Sequence, residues 1–523
     1  MPGAAYNEVM TTIPSLNRTT SSTVTPAAGG NYTSTSGATS TAGNGSSTVV
    51  SLGGGANDAT APKSLVWENR TRSSAANFMA RNFNEEPLAG RLKGVGGELL
   101  KQIAYDGEDF SQTVQQAPSG VQADTYDMLV SPSSVSQHGM GDNQIGLTVT
   151  TRSGVKVTLK LDAGDNSIAV EAKADGELSE AERKALGQLS EAFQKAIDGM
   201  AEDPPRIDLD GLTQFDSNVL SSVDLKGAIK VNPKETQRLE FHADSKQRSV
   251  SFSGPAGSAR IGVDLSQPAG WGNQEQQAKA LKNYLQEVDQ AGMRGQGNAT
   301  MIKMFKDAFT DMNADYGTPP PATANSIFLS KQDQALTTGL ADFDASFAQT
   351  EVSSNPARVT EKDTFAYQVS QKTTISGSSQ LDRSISQQQQ SHLKAQYHMP
   401  VKADATLALD LSPNSQNYRY ATIDDTASSS TNIGYDRGVL AKATMEMQAS
   451  QTTRVLKFTL GKLQDDHTTP YGKAMSRDLI STLDPERDGL NPLSGSERDQ
   501  LLAKLNDQIY LKSNPDAVPN ESA

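Results

Sequence analysis

Residues 143–174 read NQIGLTVTTRSGVKVTLKLDAGDNSIAVEAKA, and this stretch decides the fold. Ile145, Leu147 and Val149 alternate with Gln, Gly and Thr; Val155, Val157, Leu159 and Leu161 alternate with Lys and Thr; Ile168, Val170 and Ala172 complete the series. Ser153-Gly154 and Asp165-Asn166 stand where the alternation breaks, and such pairs supply the backbone conformations that tight turns need. The pattern predicts an antiparallel three-stranded meander with one apolar face. That face needs a cover. The following segment offers one: Ser179 and Glu182 make a capping box, and Leu186, Leu189, Phe193, Ile197 and Met200 recur at helical spacing before Pro204-Pro205.

Downstream, the pattern recurs about 95 residues later. Leu239, Phe241 and Ala243 alternate, then Val250 and Phe252, then Ile261, Val263 and Leu265. Asn273 can cap a helix carrying Ala278, Leu281, Tyr284, Leu285 and Val288. Duplication of a meander-plus-helix unit would account for this, and so would convergent amphipathicity. A further helix with Met301, Met304, Phe305, Ala308, Phe309 and Met312 on one stripe closes this half as core. Upstream, Phe78, Met79 and Phe83 mark one short helix and Leu99, Leu100, Ile103 and Ala104 another.

Gly317 through Pro321 predict a break. Beyond it, alternation at Phe343–Phe347 and Phe365–Val369 and the segments His392–His398, Leu407–Leu411, Tyr418–Ile423, Val439–Met447 and Val455–Leu460 predict long strands, with Ser376 to Gln390 as polar connection. The second face of these strands is Thr, Gln, Ser and Lys, so the sheet has one wet face. Pro470 ends the strands, and two helices follow, the second capped by Ser494 and Glu497. The expected fold class is α+β: antiparallel meanders covered by amphipathic helices, then a β-rich antiparallel sheet or sandwich. The expected organisation is a disordered Ser/Thr/Gly-rich leader at 1–60, a partly helical segment at 61–135, an α+β domain at 136–316, a linker at 317–334, a β-rich domain at 335–469 and a helical tail at 470–523.

Composition removes several chemistries. The chain has no cysteine and five histidines, so thiol nucleophiles, disulfides and Cys-based metal sites are excluded and imidazole is scarce. A net charge of −14 argues against nucleic acid and against an anionic membrane surface. No run is long and apolar enough for a membrane span, and Met1–Met10 has neither a basic nor an apolar signal region. The leader fits export by a route other than Sec; a cytoplasmic location fits equally.

Motifs add little. Gly94-Val95-Gly96-Gly97 fails as a dinucleotide loop because Leu99 stands where the last glycine belongs. Walker A, GxSxG, HExxH and CxxC patterns are absent. His392 and His398 share a face of a predicted strand but lie about 20 Å apart at strand rise, too far to hold one ion. His467 follows Asp465 and Asp466 at a predicted loop, and Asp208, Asp210 and Asp216 form a loose acidic group in which Asp208 or Asp210 reads as a helix N-terminal acid. Asp484, Glu486 and Asp488 resemble the opening of a calcium loop, but Gly495 stands where a bidentate Glu is required. A helix–helix turn accounts for the same residues. No cofactor is expected. Trp271 reads as a plug at a strand-to-helix corner.

Gly254-Pro255-Ala256-Gly257, Val263-Asp264-Leu265-Ser266-Gln267-Pro268, Trp271-Gly272 and Phe305-Lys306-Asp307-Ala308-Phe309 resemble a family of uncharacterised proteobacterial proteins with no established activity. The resemblance covers Ile145 to Tyr316 and implies a bacterial origin. The dehydrogenase label that some members carry finds no dinucleotide loop here. The expectation is a non-enzymatic binding or structural protein that meets protein partners through the wet faces of its strands. The alternatives are an exported effector or carboxylate-based hydrolase, and a cytosolic accessory or chaperone-like factor.

Overall fold

The computed structural model describes residues 65–69, 73–118, 135–317, 327–402, 405–488 and 493–520. The predicted leader and most of the predicted Pro-rich break lie outside them. Fifteen strands form one antiparallel sheet: β1 Leu65–Trp67, β2 Phe110–Gln116, β3 Asn143–Thr151, β4 Lys156–Gly164, β5 Ser167–Ala174, β6 Leu220–Asn232, β7 Glu235–Asp244, β8 Gln247–Gly254, β9 Gly257–Asp264, β10 Asp342–Gln349, β11 Thr364–Gly377, β12 Arg383–Pro400, β13 Tyr418–Asp436, β14 Val439–Thr459 and β15 Lys462–Asp478. Their order is β1-β2-β5-β4-β3-β6 and then consecutive to β15. Eight α-helices are described: α1 Ser74–Asn82, α2 Val95–Asp106, α3 Glu180–Ala201, α4 Gln274–Gly295, α5 Ala299–Met312, α6 Lys331–Ala335, α7 Ile480–Leu483 and α8 Gly495–Gln508.

Register explains the layering. Leu159, Leu147, Leu225, Phe241, Val250, Ile261, Ala345, Val369, Ser391, Ala427 and Ala449 lie directly opposite one another from strand to strand. All are buried, and all but Ser391 join the apolar stripes of the helices in one hydrophobic core. Directly opposite residues share a face, so the helices occupy one side of the sheet. The predicted meander is β3–β5, and its predicted cover is α3, with the capping box of Ser179 and Glu182 in place. α3 packs along α2. The glycines before Leu99 serve that contact: a Cβ on Gly96 would fall 2.3 Å from Ile197 Cδ1, and one on Gly97 would fall 2.9 Å from the Ser190 carbonyl oxygen.

The second meander, β7–β9, also forms where the alternation places it, but its helix does not cover it. α4 passes on to β11 and β12, and α5 packs on β8, β9 and β10 instead. The Met/Phe stripe of α5 is core: Phe305 and Phe309 stack at 6.0 Å and meet Phe347 and Phe343 at 4.6 and 5.0 Å. β6, unread in the sequence, joins the two meanders by pairing with β3 and β7.

Across the expected boundary at 317–334 the sheet is unbroken, because β10 pairs with β9 from Asp342↔Asp264 to Gln349↔Gly257. The described residues form one compact unit. Three further expectations are corrected. The second half of the Ser376–Gln390 connection is strand, since β12 begins at Arg383; its inward Gln387 and Gln389 bury amides that bond Thr338, Thr373, Ile509 and Leu511. Leu407–Leu411 is irregular, and Leu407 and Leu409 pack on a small cluster of Tyr418, Tyr420 and Phe458. Pro470 does not end the strands; β15 runs through it to Asp478, tolerable because an edge strand has a side that needs no N–H donor.

Candidate functional site

The face opposite the helices carries two continuous polar rows from β4 to β14. One cross-strand row reads Thr158, Thr148, Asp224, His242, Ser249, Gly262, Asp344, Ser370, Gln390, Ser428 and Gln448. The adjacent row reads Lys160, Gly146, Lys226, Glu240, Ser251, Arg260, Ser346, Gln368, His392, Thr426 and Ser450. Every residue in both rows is exposed or half-buried. Over β10–β14 the two rows line a groove of 390 Å³ with Asp344, Gln368, Ser370, Gln390, His392, Thr426, Ser428 and Gln448 along it. Asp344 is the one carboxylate among the lining residues. The groove offers amide and hydroxyl donors and acceptors on a rigid, paired backbone, which suits hydrogen bonding to a polar surface.

The two histidines in these rows each have carboxylate partners. His392 Nε2 lies 2.7 Å from Asp424 Oδ1. His242 has Nδ1 2.7 Å from Asp224 and Nε2 3.3 Å from Asp244. Burial works against the charged imidazole of His242, but the two carboxylates outweigh it and raise its pKa above the ordinary value.

At the end of β12 the open face is closed over by residues 354–363. His398, with a side chain 1% exposed, has Nδ1 2.6 Å from Asp363 and Nε2 3.2 Å from Glu361. Tyr418 donates to Glu361 at 2.6 Å and Tyr420 donates to the Lys362 carbonyl at 2.7 Å. Burial raises the Asp363 pKa, yet hydrogen bonds from His398 and Ser354 outweigh it and hold the group below its usual range. The two carboxylates meet different ring nitrogens and so share no common vacant point. This is a pin that ties a connection to the sheet; a buried imidazole with both nitrogens engaged has none left for a substrate.

The predicted site residues fall apart in space. His392 and His398 do share the open face, but each has its own carboxylate partner. His467 stands in β15 rather than in a loop, and Asp466 beside it is bound by Arg454 at 2.7 Å. Asp208 and Asp210 lie in an irregular segment after α3, not at a helix N-terminus. Asp484 precedes a 3₁₀ turn, Pro485–Asp488, that contains Glu486 and Asp488; positions 489–492 lie outside the described residues. Among the described residues no group of three or more His, Asp or Glu side chains is arranged to hold a metal ion. Trp271 does sit at the corner between β9 and α4, with its ring 5.2 Å from Tyr316.

A second cleft, of 360 Å³, opens on the helical side between α4 and Ser513-Asn514. Its one carboxylate, Asp425, is held by Arg294 at 2.9 Å. The groove residues Gln390 and Ser428 were missed as site residues because their stretches read as polar connection or featureless wet face. Taking Ile385, Gln387, Gln389, Ser391 and Leu393 together at period two would have placed Gln390 outward. No protein-family model, no curated protein and no solved structure matches this chain.

Proposed function

We propose that this is a non-catalytic bacterial binding protein that presents the open face of its sheet to a protein partner. The observation that carries this reading is the pair of unbroken polar rows, concave over β10–β14 and left bare by the helical layer. Uncharged amides and hydroxyls dominate that stretch, so recognition rests on hydrogen bonding and shape rather than on long-range charge. Both clefts described above carry a single carboxylate, which disfavours paired-carboxylate hydrolysis there. Export by a route other than Sec is compatible with this role.

The direct test is photo-crosslinking in the cells that produce the protein, with a photoreactive residue at Gln390 or Ser428 and, as comparison, at Gln286, which is exposed on α4. One discrete adduct from Gln390 and Ser428 that is absent from Gln286 supports the reading. Adducts that are absent, or equal at all three positions, overturn it.

A further inference from the structure

The largest of the clefts described lies away from the open face, at the corner where β9 gives way to α4. It encloses 790 Å³, with mainly apolar walls. Trp271 and Tyr316 form its aromatic floor, Ala278 and Leu281 on α4 form one wall, and Glu275 and Asp315 stand exposed on its rim. The opposite wall is fixed: Arg248 donates to the carbonyls of Met312, Ala314 and Asp315 at 3.1, 2.5 and 2.6 Å. The corner itself is fixed by Gly272 N–H donating to Gly339 at 2.9 Å and by Gln277 donating to the Gly272 carbonyl at 2.8 Å. The indole Nε1 of Trp271 is buried and has no acceptor among the described residues.

We infer that this cleft is a docking site for a proline-rich peptide of a partner protein, bearing a basic residue beside its prolines. Two features agree on that chemistry. A polyproline II segment stacks its rings on aromatic side chains and arrives already extended, so little entropy is lost on docking. The carboxylates of Glu275 and Asp315 select a Lys or Arg flank. The inference is independent of the open-face reading, because the two sites lie on opposite sides of the sheet.

The chain has two tryptophans, so Trp67→Phe leaves Trp271 as the sole reporter. Titrating this variant with Ac-Arg-Pro-Pro-Pro-Pro-Arg-NH2 is expected to shift its emission to the blue and to saturate with a Kd on the order of 0.1 mM. Leu281→Glu should weaken that Kd about tenfold or more, and the exposed Glu275→Lys should weaken it without touching the fold. The chain's own Pro319-Pro320-Pro321 follows Gly317 in sequence, so the titration is repeated with those three replaced by Ser to remove any competition. Saturation in either background, with both weakening substitutions effective, supports the site. No response at millimolar peptide in both backgrounds overturns it, as does an equal response to a peptide with Gly and Ser in place of the prolines.

Discussion

Asp333 shows how single residues fix this fold. Its carboxylate is fully buried, accepts from Arg383 at 2.7 and 3.1 Å and from Tyr435 at 2.8 Å, and also caps α6. Arg383 stacks over the Tyr435 ring at 3.8 Å. Asp333→Ala leaves a buried guanidinium unpaired and is expected to cost about 3–5 kcal/mol. Arg383→Met together with Asp333→Ala should recover part of that loss, and urea midpoints of the three variants check both. Asp311 acts with the opposite sign. Burial, with Asp208, Asp210 and Asp307 near, pushes its pKa up to about 6 against the hydrogen bond it accepts from the Leu209 N–H. The protonated form is therefore favoured by folding: its contribution is complete below the ordinary value of 3.8 and is lost as pH rises through about 6. Asp311→Asn should remove that loss, raising stability near neutral pH but not at pH about 3.5, as read from denaturation midpoints across the range. Glu182 runs the other way. The Ser153 hydroxyl, aided by Ser179 and opposed by burial, pulls its pKa down to about 2, so its contribution is present above the ordinary 4.5 and lost as pH falls through about 2. Glu182→Gln should cost about 1–2 kcal/mol at neutral pH and flatten the acid limb of the same profile. Of these residues only Glu182 was legible in sequence, because a capping box is local. Asp333 and Arg383 are fifty positions apart.

Elements were legible where their signal is periodic. The three strands at 143–174 and the helices α3, α4 and α5 follow directly from apolar spacing and caps. β6 was missed although Val223, Leu225 and Ile229 alternate, because Gly227 interrupts the apolar series. The first half of β12 was missed because three of its inward positions are Gln387, Gln389 and Ser391, and the burial of the two Gln depends on partners from distant elements. The motifs behind the proteobacterial resemblance serve the fold. Gly254-Pro255-Ala256-Gly257 is the β8–β9 turn, and Phe305 and Phe309 belong to the aromatic core. Gly257 has φ +150, and a Cβ there would come within 2.2 Å of the Ala348 carbonyl oxygen. Gly257→Ala is therefore expected to disrupt the β9–β10 ladder and cost about 2 kcal/mol or more. Hydrogen exchange of the Ala348 and Gln349 amides, compared with those of β4, reads whether the loss is local. The groove was legible only as chemistry: the wet face of Thr, Gln, Ser and Lys is visible in the sequence, while its position over β10–β14 depends on which strands lie side by side.

For the whole molecule, the expected division near 317–334 meets a sheet that continues and a core that is shared. Phe343 and Phe347 of β10 pack on Phe309 and Phe305 of α5, so each side of that position contributes rings to one aromatic cluster. A fragment ending at Tyr316 would expose those rings and leave β9 as an edge; it is expected to be aggregated or molten, with native-like far-UV but little near-UV circular dichroism. A soluble fragment with sharp tertiary signals would contradict this.

The strand order also bears on how the chain is made. From β7 onward each strand pairs with the one before it, whereas β2 must wait for β5, and β3 is flanked on one side only after β6 has emerged. Growth during translation therefore has a direction: once β6 is seated on β3, every later strand meets a template already formed on the same molecule. The final template is β15. It carries Lys462, Asp465, Asp466 and Pro470, a composition that discourages a neighbouring molecule from adding the next strand.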